Sequence, residues 1–323
     1  MVPEPNRETR GDSARDVERS VLDEFEIGRN DIREGRFQRS LALLAAGASV
    51  MSGLEVAYEH YRGSYGQRIM YTPVVLSGAL GAAGVAGFCS GTAARTVLRA
   101  TSALTLVDAL LGFALHVRGI ARKPGGWSLP LTNLIMGPPV FAPVLFGTAA
   151  YLGLIASFLR REGSAGTLEA KDEPRLDAAS GKLARIEQDV REGRFQQHVL
   201  AVTALSAALS GVEAWYSHYK SRFRYASQWA PVVSAPLLAL ACVAAIPQPK
   251  LAKTAVPLLS TLAVAVSAIG FCYHVRGVLR RPGGAKHLPY NVMYGPPVFA
   301  PLLFGAAGAL GILASLLRRT PSE

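Results

Sequence analysis

The apolar positions of this chain fall in eight long runs, and its charged positions fall between them. The runs are Leu41–Tyr58, Thr72–Ser90, Ala100–Val117, Val140–Leu159, Val199–Tyr216, Ala230–Ile246, Ala255–Val275 and Val298–Leu317. A helix crosses the hydrocarbon core of a bilayer in roughly 17–25 residues, and the runs match that length. Lipid offers the backbone no hydrogen bonds, so each run is expected to close its own as a helix. Gly and Ala recur inside the runs (Gly78, Gly81, Gly84, Gly87; Gly305, Gly308, Gly311). Small residues of this kind let membrane helices approach closely.

The runs recur in two sets. Residues 30–160 lie over 188–318 at a constant offset of 158 without a gap. REGRFQ at Arg33–Gln38 returns at Arg191–Gln196, and SGLEVAYEHY at Ser52–Tyr61 returns as SGVEAWYSHY at Ser210–Tyr219. HVRG at His116–Gly119 returns at His274–Gly277, and GPPVFAP at Gly137–Pro143 returns at Gly295–Pro301. Four spans bring each copy back to the side it started from, so the copies share one orientation. The expected fold is therefore an all-α integral membrane protein, with eight transmembrane helices as two tandem, parallel four-helix repeats. Its parts are a polar N-terminal tail and amphipathic helix (1–38), repeat one (39–161), a polar linker and amphipathic helix (162–196) and repeat two (197–319). The charged stretches before each first span, Asp16–Gln38 and Lys182–Gln197, read as interfacial or extended helices.

Composition agrees with a membrane protein: 50% of residues are apolar and 18% charged, with a formal net charge of +11. The charged N-terminus is not a secretory signal peptide, so the first span is expected to serve as an uncleaved signal. Cys89, Cys242 and Cys272 form no CxxC pair and read as small buried hydrophobes. Near the span ends, the side holding the N-terminus (side A) carries sixteen Lys and Arg and the other (side B) twelve. The positive-inside rule then puts both termini in the cytoplasm, in what is expected to be a bacterial cytoplasmic membrane. The loops of side B hold those twelve cations, and Glu59 at a helix end is the acid beside them. Such a face attracts anions: lipid phosphates of the bilayer, an anionic ligand or an acidic partner. No nucleic-acid partner is expected.

Ionisable groups inside membrane helices are costly and call for partners. Glu55 lies 15 residues beyond Ser40, and His116 lies 16 beyond Ala100. At 1.5 Å per residue both reach about 22–24 Å along spans running from side A to side B. Carboxylate and imidazole are thus expected at one depth near side B, and the same holds for Glu213 and His274. His60 and His218 follow the glutamates by five residues, about 140° around a helix, so they join such a site only if the helix kinks. Glu55, His60, His116, Glu213, His218 and His274 are therefore candidate ligands of a transition metal or of haem b. A purely structural carboxylate–imidazole hydrogen bond is the alternative. Arg118 and Arg276, two residues past the imidazoles, suit a cofactor carboxylate or simple snorkelling. Tyr58 and Tyr216 are further candidate cofactor contacts, and with Tyr61, Tyr219 and Trp215 they also fit an interfacial aromatic belt.

The loop between the third and fourth spans opens on a Pro-Gly-Gly turn and ends in Gly-Pro-Pro, expected to start the fourth helix. Pro143 and Pro301 are expected to kink that helix. Asp108 aligns with Val266, which makes it a candidate for a site peculiar to the first copy. HExxH, Walker, GxGxxG, GxSxG and clustered-histidine motifs are all absent. The reading favours cofactor binding at two Glu/His sites. A transporter or channel with a pathway between the repeats is one alternative. A non-catalytic subunit docking an anionic partner is the other.

Overall fold

The computed structural model describes residues 22–162 and 182–320, and among these it is helical with no strand. The expected polar tail before residue 22 and the expected polar linker over 163–181 lie outside the described residues. A charged helix, α1, covers 22–33. The long helices that follow are α2 (Gln38–Arg62), α3 (Thr72–Cys89), α4 (Arg99–Ala121) and α5 (Ala142–Ala156). After the linker come α6 (Lys182–Arg191), α7 (Gln196–Lys220), α8 (Trp229–Ala245), α9 (Ala255–Leu279) and α10 (Ala300–Leu316).

Among the described residues, six helical stretches are long and apolar enough to cross a membrane: those centred on α2, α3, α4, α7, α8 and α9. The remaining apolar helices, α5 and α10, are shorter, at 15 and 17 residues. The reason lies in their starts. Gly-Pro-Pro does not open the helix. Residues 137–141 and 295–299 stay non-helical, and α5 and α10 begin at Ala142 and Ala300. A residue preceding proline is driven out of the α region, so helix can set in only beyond the Pro-Pro step. Pro143 and Pro301 then occupy the first helical turn, where a missing N–H costs nothing, and do not act as mid-helix kinks.

Side-chain placement follows membrane logic. Along α2 the buried positions are small: Ala42, Ala45, Ala46, Ser49, Ser52 and Gly53. Many large apolar residues of the spans point outward, with Val75 at 67%, Leu110 at 67% and Leu258 at 72% exposure. Water would punish that arrangement, whereas lipid is indifferent to outward leucines and close packing of small faces holds the helices together. At Gly84 a Cβ would come within 2.7 Å of the Ala42 carbonyl and 2.8 Å of Ala46, so α2 and α3 nearly touch backbone to backbone.

Helices α2–α5 pack mainly on one another, as do α7–α10, and the two sets meet along α2, α5, α7 and α10. At the side A end of this seam the two REGRF segments face each other. Phe37 and Phe195 stack with ring centroids 6.5 Å apart and 7° between planes. Gly35 and Gly193 take left-handed backbone (φ +73° and +69°), each lying against the other segment. Arg36 pairs with Asp31 at 3.1 Å and Glu34 at 2.8 Å, and Arg194 pairs with Asp189 and Glu192 in the same manner. The Arg160 N–H donates to the Gly35 carbonyl and the Arg318 N–H to that of Gly193, both at 2.9 Å, tying the end of each set to its beginning. Glu162 further caps α2, accepting from the Arg39 and Ser40 amides at 2.7 Å.

Gly35→Ala would place a Cβ on the Arg191 carbonyl while holding alanine at positive φ. A loss of about 2–4 kcal/mol is expected, read as a lowered unfolding midpoint in detergent.

Candidate functional site

Four ionisable residues of the spans, Glu55, His116, Glu213 and His274, converge on the two non-helical segments ahead of α5 and α10. On α4, His116 Nδ1 lies 2.6 Å from the Pro139 carbonyl, and on α9, His274 Nδ1 lies 2.5 Å from that of Pro297. A carbonyl oxygen only accepts, so the ring proton sits on Nδ1 and each neutral imidazole keeps Nε2 as a base. Gly119 and Gly277, from the same HVRG motifs, lie against Pro138 and Pro296. The co-occurrence of HVRG and GPP in both copies is thus a packing relationship.

The glutamates serve the same segments from the opposite set of helices. Glu213, on α7, accepts from the Phe141 N–H at 2.9 Å. Glu55, on α2, accepts from the Phe299 N–H at 3.3 Å. Carboxylate and imidazole do meet at one level, but crosswise: segment 137–141 is held by His116 and Glu213, and segment 295–299 by His274 and Glu55. A non-helical stretch at membrane depth needs its N–H and C=O groups satisfied by protein, and these four side chains supply that. Each carboxylate also stands at a helix N-terminus, where the macrodipole favours negative charge.

The neighbouring loops are similarly fixed. Asn133 and Asn291 are buried, and their amides donate to the Pro124 and Gly126 carbonyls (3.1 and 2.8 Å) and to those of Pro282 and Gly284 (3.1 and 3.0 Å). His60 Nδ1 bonds the Met70 carbonyl at 2.7 Å. His218 lies beside the backbone of Gln228, the position equivalent to Met70. Between them, Ser64, Tyr65, Arg222 and Phe223 adopt positive φ. These turns stack Tyr65 on Tyr71 (centroids 4.2 Å apart) and Phe223 on Trp229 (4.0 Å).

The six candidate metal ligands do not gather into a metal centre. Among the described residues no three or more His, Cys, Asp or Glu side chains form a group that could hold a metal ion. The physical reason is visible in the bonds above: the carboxylates and the Nδ1 atoms of His60, His116 and His274 are engaged with backbone. Arg118 and Arg276 are exposed, with no ion pair or hydrogen bond to a described side chain or carbonyl. Tyr58 accepts from Arg62 Nη1 at 3.2 Å, and Tyr216 is buried with Lys220 Nζ 5.5 Å from its ring centroid. Cys89 and Cys272 are exposed on the spans, while Cys242 is buried.

Between the crossed glutamates and the REGRF contact, a cavity with room for about one water lies on the seam. Its lining includes Ser52, Thr148, Ser206 and Leu303. Thr148 Oγ1 and Ser206 Oγ are 3.4 Å apart across it. Sequence reading missed this hydroxyl pair, because neither residue recurs: Ala306 and Ala48 occupy the equivalent positions.

No family model, curated protein or solved structure matches the chain.

Removing a carboxylate from this arrangement leaves a backbone N–H without its acceptor. Glu213→Ala is expected to lower the unfolding midpoint in detergent by the equivalent of about 1–3 kcal/mol, with Glu213→Gln losing less because its carbonyl can still accept. Equal midpoints for Glu213→Ala and the parent protein would contradict the crossed arrangement.

Proposed function

We propose that this is a membrane transport protein of eight spans, built as two parallel four-helix repeats, that passes a small anion along the seam between them. The observation that carries the reading is the reciprocal capping of α5 by Glu213 and of α10 by Glu55. A helix N-terminus at membrane depth is a ready anion site, and here a carboxylate from the other half occupies each one. An incoming carboxylate, phosphate or sulfate would compete for the same N–H groups. Displacing Glu55 and Glu213 would release the two halves from each other at side B, while the REGRF contact holds at side A. Parallel repeats about an axis along the membrane normal rock in this way in known transporter folds. The twelve side B cations would raise the local anion concentration. In this reading α5 and α10 complete the eight spans, with segments 137–141 and 295–299 covering the remaining depth. Both termini lie in the cytoplasm of a bacterial cell.

Uptake of labelled small carboxylates, phosphate and sulfate into proteoliposomes tests the proposal. Flux of at least one of them, lost in the Glu55→Gln/Glu213→Gln double variant, is expected; a folded parent protein that moves none of them refutes it.

A second reading is favoured by the fixed imidazoles. With Nδ1 donating to a carbonyl, His116 and His60 present Nε2 in the manner of histidines that ligate metals. Two imidazoles suffice for haem b but not for a metal needing three protein ligands. His60 with His116, and His218 with His274, would be the ligand pairs. Arg118 and Arg276 would then meet the propionates, beside Tyr58 and Tyr216. When bound, haem would supply one-electron chemistry. An absorption spectrum with a Soret band, lost in His116→Ala, is the expected result for this reading, and a colourless purified protein excludes it.

A further inference from the structure

We infer that the outward apolar face of α3 and α4 around Asp108 docks a transmembrane helix of another protein, one that carries a Lys or Arg level with Asp108. The inference is independent of the transport reading, because the seam is formed by α2, α5, α7 and α10. Asp108 sits in the interior of α4, nine residues after Arg99 and thirteen before Ala121. Its Oδ1 accepts from Thr72 Oγ1, on the first residue of α3, at 2.6 Å. Thr72 Oγ1 also contacts the Ile69 carbonyl at 2.9 Å, so a single hydroxyl proton is shared between two acceptors. Around the carboxylate the surface is apolar and outward: Leu104 at 61%, Val107 at 64% and Leu111 at 44% on α4, and Val75 on α3. Among the described residues no cation pairs with Asp108.

The fold does not need this polar pair. At the offset of 158 residues, Thr72 becomes Ala230 and Asp108 becomes Val266, so both members are apolar in the second set of helices. A carboxylate in hydrocarbon carries a standing cost that a partner must offset, and such residues mark points of interaction. Charge complementarity asks for a permanently charged Lys or Arg on the occupant. A second copy of this chain does not provide a Lys or Arg, since none of its eight apolar runs contains one. The occupant is therefore a different membrane protein.

The test uses the full-length protein in phosphatidylcholine vesicles and a synthetic oligoleucine transmembrane helix with one central lysine, read by energy transfer. Binding about three- to thirty-fold tighter than for the same helix without lysine is expected, from the usual strength of polar contacts between membrane helices. Asp108→Leu should abolish the difference. Asp108→Asn, which can retain the Thr72 contact and so guards against misfolding, should remove most of it. The double variant Ala230→Thr/Val266→Asp should add a second binding site. Equal binding of the two helices by the parent protein, unchanged lysine-helix binding in both Asp108 variants, or no added site in the double variant would each overturn the assignment.

Discussion

Backbone without helical hydrogen bonds cannot be left bare in a membrane, and this structure is organised around meeting that demand. Gly-Pro-Pro ahead of α5 and α10 favours two such stretches, because proline removes donors and disfavours helix in the residue before it. The exposed carbonyls of Pro139 and Pro297 are met by His116 and His274 from the adjoining helix. The N–H groups of Phe141 and Phe299 are met by Glu213 and Glu55 from across the seam. The polar residues of the spans are thus explained first as partners of broken backbone. Any ligand chemistry has to work through, or displace, those bonds.

The crossing matters more than the individual bonds. If Glu55 served its own half, each four-helix set would be complete and the seam would rest on a few small apolar contacts. Because it serves the other half, breaking the seam at side B leaves two carboxylates and two amides unpaired together. That penalty is concentrated at one end, while the other end is held by stacked phenylalanines and apposed left-handed glycines, flanked by the ion pairs of Arg36 and Arg194.

The all-helical, membrane-type character is legible in the sequence, because apolar run length is a property of the chain alone, but run length does not reveal how short α5 and α10 are. The common depth of Glu55 and His116 is legible for the same reason, since it is a count along a helix. Which glutamate meets which segment is not. A depth argument fixes position along the membrane normal and says nothing about position in its plane, so own-copy and cross-copy pairings look alike. The start of α5 is illegible for a local reason: Pro138, Pro139 and Pro143 all compete for the first turn, and only the geometry of the residue before each proline decides. The role of REGRFQ was invisible because a left-handed glycine and a stacked phenylalanine do their work against a segment 158 residues away.

The departures from the repeat are as informative as the matches. Thr148 with Ser206 and Thr72 with Asp108 are hydrogen-bonded pairs, and in each the equivalent residues are apolar: Ala306 with Ala48, and Ala230 with Val266. Polar pairs that arise or vanish as pairs follow from the lipid environment, because a lone hydroxyl or carboxylate is penalised there while a pair is tolerated. One pair faces the seam and the other faces outward. Two halves that share a backbone plan therefore differ in what they offer on the inside and on the outside. That difference gives a protein with near-twofold form distinguishable inner and outer surfaces.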